Sequence, residues 1–297
     1  MKPMKEKKPL VAAWVEAARP RTLLASFSPV CIGCVLAWQE GVFQFVPAVL
    51  CLCVALLAQI ASNFANDYYD FKKGADREDR VGPARAVASG WISPKAMFRA
   101  TFLTLGIACL CGCLLLFYGG WILLPVGLLM ALCVLGYSTG PYPLSYYGLG
   151  DVCVLLFYGI VPVCFTYYVQ ANTFSFLSFL LSLAVGFLSI NILVVNNYRD
   201  YEQDKISGKR TTVVLFGKRF ARIFYLTNGL LAIILTLPFI ENDRRFIEIG
   251  LSFFFAVFIT LWWQFIHSEG AALNKILGKT AMSVFLYALL LTAILLF

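Results

Sequence analysis

Long apolar stretches constrain this chain most, because they recur along its whole length. A helix needs about 20 predominantly apolar residues to cross a bilayer. Only 13% of the residues are charged, about half of the share in a typical soluble domain. The sequence therefore predicts an all-α, polytopic membrane protein with nine transmembrane helices. The nine stretches are 22–38, 43–62, 97–117, 121–138, 152–169, 174–195, 221–240, 246–266 and 278–297.

The basic residues fall into alternate connections between these stretches. All but two of the 24 Lys and Arg residues lie in the N-terminal segment or in the second, sixth and eighth connections, and the exceptions are Arg244 and Arg245. Because connections rich in Lys and Arg stay in the cytoplasm, we expect the N-terminus inside and the C-terminus outside. The net charge of +8 thus reflects membrane topology and does not indicate nucleic-acid binding.

Two polar, acidic clusters follow the second and the sixth apolar stretch. Carboxylates three or four residues apart share a face of a helix, and each cluster adds amides one turn earlier. The first cluster contains Asn63, Asn66, Asp67 and Asp70, and the second contains Asn196, Asp200 and Asp204. Their equivalent positions predict a pseudo-repeat of four helices with a ninth helix added at the end. The distribution of Lys and Arg puts both clusters on the cytoplasmic side.

The ligand types in the clusters favour Mg²⁺, which takes hard oxygen ligands and completes its shell with water and substrate phosphate. The single histidine, His267, is remote from both clusters in sequence, and the ten cysteines lie mostly inside apolar stretches, where they are typical packing residues. Basic residues next to the clusters are candidate diphosphate ligands: Lys73, Arg77, Lys209 and Arg210. The alternative is that these charges are ordinary residues of cytoplasmic loops that pair with one another.

The fourth connection, residues 136–151, is almost uncharged and rich in Gly, Pro and Tyr. Such a segment is conformationally restricted, so it could lie over a cavity. A plain turn is the alternative.

Several motifs together resemble the UbiA superfamily of intramembrane prenyltransferases. They are Asn66-Asp67-x-x-Asp70 after the second stretch and Asp200-x-x-x-Asp204 after the sixth. Longer segments are most similar to the branch of 1,4-dihydroxy-2-naphthoate polyprenyltransferases of menaquinone biosynthesis. These segments are residues 66–76, 80–90, 139–144 and 196–204, with Gly208-Lys-Arg-Thr. The resemblance covers nearly the whole chain and implies a single integral-membrane prenyltransferase domain over residues 1–297, with a UbiA-like bundle.

The resemblance implies a role for each site residue. Mg²⁺ and the isoprenyl diphosphate are bound by Asp67, Asp70, Asp200 and Asp204, which form the catalytic set. The resemblance also implies that Asp76 is a metal ligand, although Asp76 follows Asp70 by six residues, a longer spacing than in many members of the superfamily. We assign diphosphate binding to Asn63, Asn66, Lys73, Arg77, Asn196, Lys209 and Arg210. We assign acceptor binding to Arg85, Tyr137 and Tyr142.

The implied reaction is Mg²⁺-dependent transfer of a polyprenyl group from polyprenyl diphosphate to 1,4-dihydroxy-2-naphthoate, with decarboxylation, to give demethylmenaquinone. We expect a multi-pass protein of a bacterial inner membrane, in contact with the lipid bilayer and without an obligate protein partner. Two alternatives stay open. One is a UbiA-type enzyme with another aromatic acceptor, and the other is a cation-coupled membrane transporter, although the middle of each stretch is nearly free of charge.

Overall fold

The computed structural model describes residues 8–74, 81–239 and 245–296, and all regular structure within these ranges is helical. The predicted all-α class is therefore confirmed. The helices are α1 (Leu10–Ala18), α2 (Pro20–Gln39), α3 (Phe45–Lys72), α4 (Pro94–Gly119), α5 (Leu123–Gly136), α6 (Gly150–Leu155), α7 (Val161–Ala171), α8 (Phe176–Arg199), α9 (Tyr201–Ile206), α10 (Thr212–Thr236), α11 (Arg245–Ile266) and α12 (Leu273–Leu296). A π-helical turn, Leu156–Ile160, joins α6 to α7 in one continuous rod.

Eight helical segments in the described ranges are long and apolar enough to cross a membrane. The rod of α6 and α7 is one of them, and the others contain α2, α3, α4, α8, α10, α11 and α12. α5 is apolar but has only 14 residues, so it extends about 21 Å, less than the roughly 30 Å of a hydrocarbon core. The count of nine spans stays a prediction that depends on α5.

Local sequence signals explain where several helices begin. Ser93 accepts a hydrogen bond from the Ala96 amide at the start of α4, and Pro94 occupies the first helical position, where its missing N–H is not needed. Thr211 caps α10 in the same way. Within α10, Gly217 has a φ of +85°, a conformation that favours glycine, and it divides a short first turn from the long membrane segment.

α8 lies at the centre of the bundle, where it packs against α10, α12 and the rod formed by α6 and α7. Close approach to the rod requires glycine, because a Cβ on Gly159 would lie 2.6 Å from the Ser182 carbonyl oxygen. Farther along α8, Asn191 donates to the Tyr225 carbonyl on α10 at 3.0 Å, and Asn228 donates to Asn191 at 3.1 Å. These buried contacts join the helices through neutral groups.

A second, smaller core holds the segment after the first acidic cluster against the helices. Ala86, Val87 and Ile92 pack with Phe64 of α3 and Met97 of α4. Residues 81–92 are thereby fixed over the cytoplasmic end that the sequence predicts for α3, next to the aspartates of that helix.

Candidate active site

Both acidic clusters line one cavity of about 630 Å³ between the ends of α3 and α8. The residues from the predicted site that line it are Asn63, Asn66, Asp67, Asp70, Arg85, Tyr137, Asn196, Asp200, Asp204 and Lys209. The structure thus brings together two motifs that are more than a hundred residues apart in the sequence.

Asp67 is held by the backbone of the segment that follows its own cluster. Its two carboxylate oxygens accept hydrogen bonds from the amides of Ala86 at 3.0 Å and Val87 at 3.1 Å. The side chain is only 2% exposed, so these bonds compensate much of the cost of burying its charge. Asp67 therefore also fixes the position of residues 81–92.

Asp70 lies one turn farther along α3 and pairs with Arg85. The Arg85 Nη2 donates to Asp70 Oδ2 at 3.2 Å, and both side chains are about nine-tenths buried. A buried arginine needs such a partner, so Arg85 is not an ordinary solvated loop charge. The guanidinium and the first carboxylate pair occupy the same wall of the cavity.

The second cluster is organised around Arg199, the last residue of α8. Its Nε and Nη2 each donate to one oxygen of Asp200 at 2.7 Å. The same guanidinium reaches Asn196 at 2.8 Å and Asn274 of α12 at 2.9 Å. Arg199 therefore sets the orientation of Asp200 and links it to a helix 75 residues later in the chain.

Asp204 lies on α9 and has Lys209 as a neighbour. The Lys209 Nζ is 3.8 Å from Asp204 Oδ1, and the Lys209 amide donates to the Asp204 carbonyl at 2.9 Å. A turn at Gly208, with a φ of +75°, brings the lysine back toward the aspartate. Arg210 is exposed and its side chain does not line the cavity.

The fourth connection bridges the two clusters. The Tyr146 carbonyl accepts the Arg210 amide at 2.9 Å, and the Tyr146 ring lies 4.5 Å from Lys73 Nζ and 5.4 Å from Lys209 Nζ. Ammonium groups are attracted to an aromatic face at these distances. Partial burial lowers the pKa of Lys73, whereas nearby Asp70 raises it.

Two amides of the first cluster are used in contacts between segments. Asn63 donates to the Ala18 carbonyl at 2.9 Å and to the Thr22 hydroxyl at 3.2 Å, which ties α3 to the junction of α1 and α2. Asn66 accepts a hydrogen bond from the Ser138 hydroxyl after α5. Both amides therefore join neighbouring segments and also line the cavity.

The structure does not bring every predicted residue to the cavity. Tyr142 is 72% exposed, and its ring packs on Tyr147 at 5.7 Å because the turn that carries it points away from the cavity. Lys73 and Arg210 are exposed near the cavity without lining it. Asp76 and Arg77 lie outside the described residues.

The cavity also contains polar residues to which the sequence analysis gave no role. Arg19, Asp151, Arg199 and Asn274 all line it. Arg199 is adjacent to Asp200 within the second motif, and Asp151 is the single carboxylate of the fourth connection. These sequence positions could have identified Arg199 and Asp151 as candidate site residues. Nothing in the local sequence distinguishes Arg19 or Asn274 from other residues near the ends of helices.

The donor set fits magnesium that is held jointly with a phosphorylated substrate. Within the part of the chain that is described, no three His, Cys, Asp or Glu side chains are close enough to form a preassembled metal site. Mg²⁺ is usually bound through one or two carboxylates, with waters and substrate phosphates as its other ligands. Carboxylates from two separate clusters on one cavity suit that mode.

The fold and the site define a multi-pass membrane protein with a carboxylate-lined cavity between the ends of its helices. The model of the UbiA prenyltransferase family matches residues 26–296. The chain belongs to this family, and the resemblance noted in the sequence is confirmed.

Individual relatives agree with the family match. The chain is 38% identical over 221 residues to a 1,4-dihydroxy-2-naphthoate octaprenyltransferase of Escherichia coli, covering 72% of this chain and 71% of that protein. It is 37% identical to the Mycobacterium tuberculosis protein of the same name, covering 77% of each chain. A UbiA homolog from Archaeoglobus fulgidus, solved with DMAPP and Mg²⁺, has the same fold with a TM-score of 0.65 at 17% identity, covering 95% of this chain and 98% of that one.

Proposed function

We propose that this protein is a Mg²⁺-dependent polyprenyltransferase of a bacterial cell membrane. It transfers a polyprenyl group from polyprenyl diphosphate to 1,4-dihydroxy-2-naphthoate, which loses its carboxylate as CO₂, and the product is the hydroquinone form of demethylmenaquinone. The observation that carries the proposal is the convergence of both acidic clusters, together with Arg85, Arg199 and Lys209, on one cavity. The names of the bacterial relatives support the acceptor, and the archaeal homolog supports the class of donor and the metal.

In this proposal the diphosphate lies between the two clusters. Asp67, Asp70, Asp200 and Asp204 are the candidate magnesium ligands, and Asp76 is a further candidate outside the described residues. Magnesium, when bound, neutralises the charge that develops on the departing diphosphate. Lys209 lines the cavity and can contact phosphate oxygens directly. Lys73 and Arg210 are exposed nearby, and Arg77 is a further candidate diphosphate ligand outside the described residues.

The arginines that pair with aspartates in this structure can also bind anionic groups of the substrates. Arg85 and Arg199 each present a guanidinium to a carboxylate inside the cavity. A guanidinium binds phosphate oxygens as well as it binds carboxylate oxygens. If Asp70 and Asp200 were metal ligands in the loaded enzyme, Arg85 and Arg199 would be free to bind anionic groups of the substrates.

The acceptor and the isoprenoid need different surroundings. Arg85 is our candidate partner for the acceptor carboxylate, and Tyr137 forms the adjacent wall. Apolar side chains on other walls of the cavity, such as Met130, Phe157 and Leu193, offer a surface for the start of the isoprenoid chain. An apolar surface also limits water, which would otherwise hydrolyse an allylic cation.

The orientation in the membrane follows from the basic residues. We propose a cytoplasmic N-terminus, an external C-terminus and an active site that faces the cytoplasm, because Lys and Arg concentrate in the connections on that side. A soluble aromatic acid and a membrane-bound prenyl diphosphate would then meet at the cytoplasmic surface of the bilayer.

The test is product analysis with purified protein. The protein is incubated with Mg²⁺, an isotopically labelled polyprenyl diphosphate and, separately, dihydroxynaphthoate, hydroxybenzoate or homogentisate, and the products are identified by mass spectrometry. We expect product with dihydroxynaphthoate, at the mass of the prenylated ring minus CO₂. A product that keeps the carboxylate would refute decarboxylation, preference for another ring would select the alternative acceptor, and no product with any ring would refute the proposal.

A further inference from the structure

Asp151 differs from the other aspartates of the cavity in its surroundings. The four aspartates of the two clusters each contact a backbone amide, an arginine or a lysine. Asp151 also lines the cavity and is only 8% exposed. Its Oδ1 is buried without a hydrogen-bond partner among the described residues. A buried carboxylate oxygen without a partner is unfavourable, so its presence in a cavity indicates a ligand group.

Two hydroxyl oxygens that line the cavity also lack a hydrogen-bond partner among the described residues. Thr212 Oγ1 at the start of α10 and Ser189 Oγ on α8 are both buried without a partner in hydrogen-bond geometry among the described residues. The Thr212 hydroxyl is nevertheless close enough to Asp151 to stabilise its carboxylate. Nearly all buried polar groups in proteins are paired. Three unpaired oxygens on one cavity are therefore a specific feature of this structure, and a polar ligand would satisfy them.

Asp151 lies near Tyr137, a residue that we assign to acceptor binding. A Cβ on Gly150, the preceding residue, would lie only 3.4 Å from the Tyr137 hydroxyl oxygen. Tyr137 is our candidate acceptor contact, and the Asp151 carboxylate is close enough to the Tyr137 hydroxyl to interact with it electrostatically. A carboxylate that lacks a basic partner would repel a diphosphate, whereas it would attract the hydroxyl proton of an aromatic ring.

We infer that Asp151 is the general base that takes the proton from a ring hydroxyl of the acceptor, with Thr212 beside it and Ser189 as a further hydrogen-bonding group on the cavity. This role rests on the proposed function and adds a catalytic residue to it. It also assigns the acceptor class as aromatic rings with a free hydroxyl next to the carbon that is alkylated.

The proton transfer balances within the proposed reaction. The hydroxyl proton moves to Asp151, and the oxygen electrons shift into the ring as the carboxylate-bearing ring carbon bonds to C1 of the prenyl group. The bond from C1 to the diphosphate oxygen breaks, and its electron pair leaves with the diphosphate. The ring then carries a ketone next to the carboxylated carbon, CO₂ departs, its bonding electrons restore the aromatic ring, and Asp151 returns the proton to the ring oxygen.

The test compares Asp151→Asn with wild type across acceptors whose hydroxyls differ in acidity, such as halogenated dihydroxynaphthoates. Asn has nearly the same shape but cannot take the proton, so we expect kcat to fall about 10²-fold or more while the KM for prenyl diphosphate stays within twofold. The loss should shrink as the acceptor hydroxyl becomes more acidic, because a more acidic hydroxyl needs the base less. Glu269→Gln, an exposed acid outside the cavity, is the matched control.

The outcomes separate the inference from the proposed function. Turnover by wild type together with an equal loss at every acceptor, or with no loss in Asp151→Asn, would overturn the role of Asp151 alone. No turnover by wild type with any acceptor would overturn the proposed function and this inference with it. If Asp151→Asn does not fold, Thr212→Val gives the result: a severalfold rise in the acceptor KM alone is expected, and an unchanged acceptor KM would overturn the inference.

Discussion

At the scale of single residues, the main feature of the two acidic clusters is that their aspartates already have partners of opposite polarity. Asp67 accepts two backbone amides, and Asp70 and Asp200 each pair with an arginine. Such pairing makes it possible to bury several carboxylates close together, because an unpaired buried charge is very costly. The same arginines are then positioned for the anionic groups of the substrates.

Arg85 provides the residue-scale prediction. If it binds the acceptor carboxylate, Arg85→Ala should raise the KM for dihydroxynaphthoate about tenfold, or roughly 1.4 kcal/mol of transition-state stabilisation. The KM for prenyl diphosphate should change little. Steady-state kinetics with each substrate varied in turn give both values, and Lys205→Ala, which removes an exposed cation outside the cavity, is the control.

Two other results would change the role of Arg85. A rise confined to the KM for prenyl diphosphate would place the guanidinium on the phosphate, and unchanged values for both substrates would remove it from the substrate site.

At the scale of elements, the number of transmembrane spans depends on whether α5 crosses the bilayer. Trp121 precedes this helix and Tyr142 follows it, and both are largely exposed. If α5 crosses the bilayer despite its 14 residues, the two positions are on opposite sides. In a variant without reactive native cysteines, we expect Trp121→Cys to react with an impermeant thiol reagent from outside and Tyr142→Cys only after the membrane is opened. Reaction of both from one side would reduce the count to eight spans.

Gly159 provides a second prediction at this scale. A side chain there would meet the backbone of α8, at 2.6 Å from the Ser182 carbonyl and 2.7 Å from Gly186 Cα. Gly159→Ala should therefore destabilise the bundle by about 1–3 kcal/mol, the usual penalty of overpacking. Gly112→Ala is the matched control, because nothing lies within 4 Å of its added Cβ. Thermal unfolding in detergent should show a lower Tm for Gly159→Ala only, and equal Tm values would contradict the packing.

The elements of the site differ in how far the sequence could predict them. Asp67 and Asp70 lie on one face of α3, and the sequence predicts this because they are three residues apart on a helix. The bond from Arg199 to Asn274 depends on how α8 packs against α12, which no local pattern specifies. The outward direction of Tyr142 depends on the path of the turn around it, and a count of aromatic residues cannot supply that path.

At the scale of the whole molecule, the two acidic clusters line one cavity, and the fourth connection contacts basic residues next to both of them. Tyr146 contacts the Arg210 backbone and lies near the ammonium groups of Lys73 and Lys209. The apolar stretches and the charge distribution predicted a helical membrane bundle, and the matched clusters predicted a shared site. The unpaired Oδ1 of Asp151 could only be found in three dimensions, because it depends on how the described residues are arranged around it.

The most direct test of the account is whether both clusters bind one diphosphate through magnesium. Isothermal titration of the purified protein with an unreactive prenyl thiolodiphosphate measures Kd with Mg²⁺ and with EDTA, in wild type, Asp70→Asn, Asp200→Asn and the exposed control Glu202→Gln. We predict one binding event that requires Mg²⁺ and is weakened about tenfold or more by either aspartate change, since each removes a charged group from a shared cation site. Binding of equal strength in EDTA, or a loss confined to one cluster, would contradict a single site built from both.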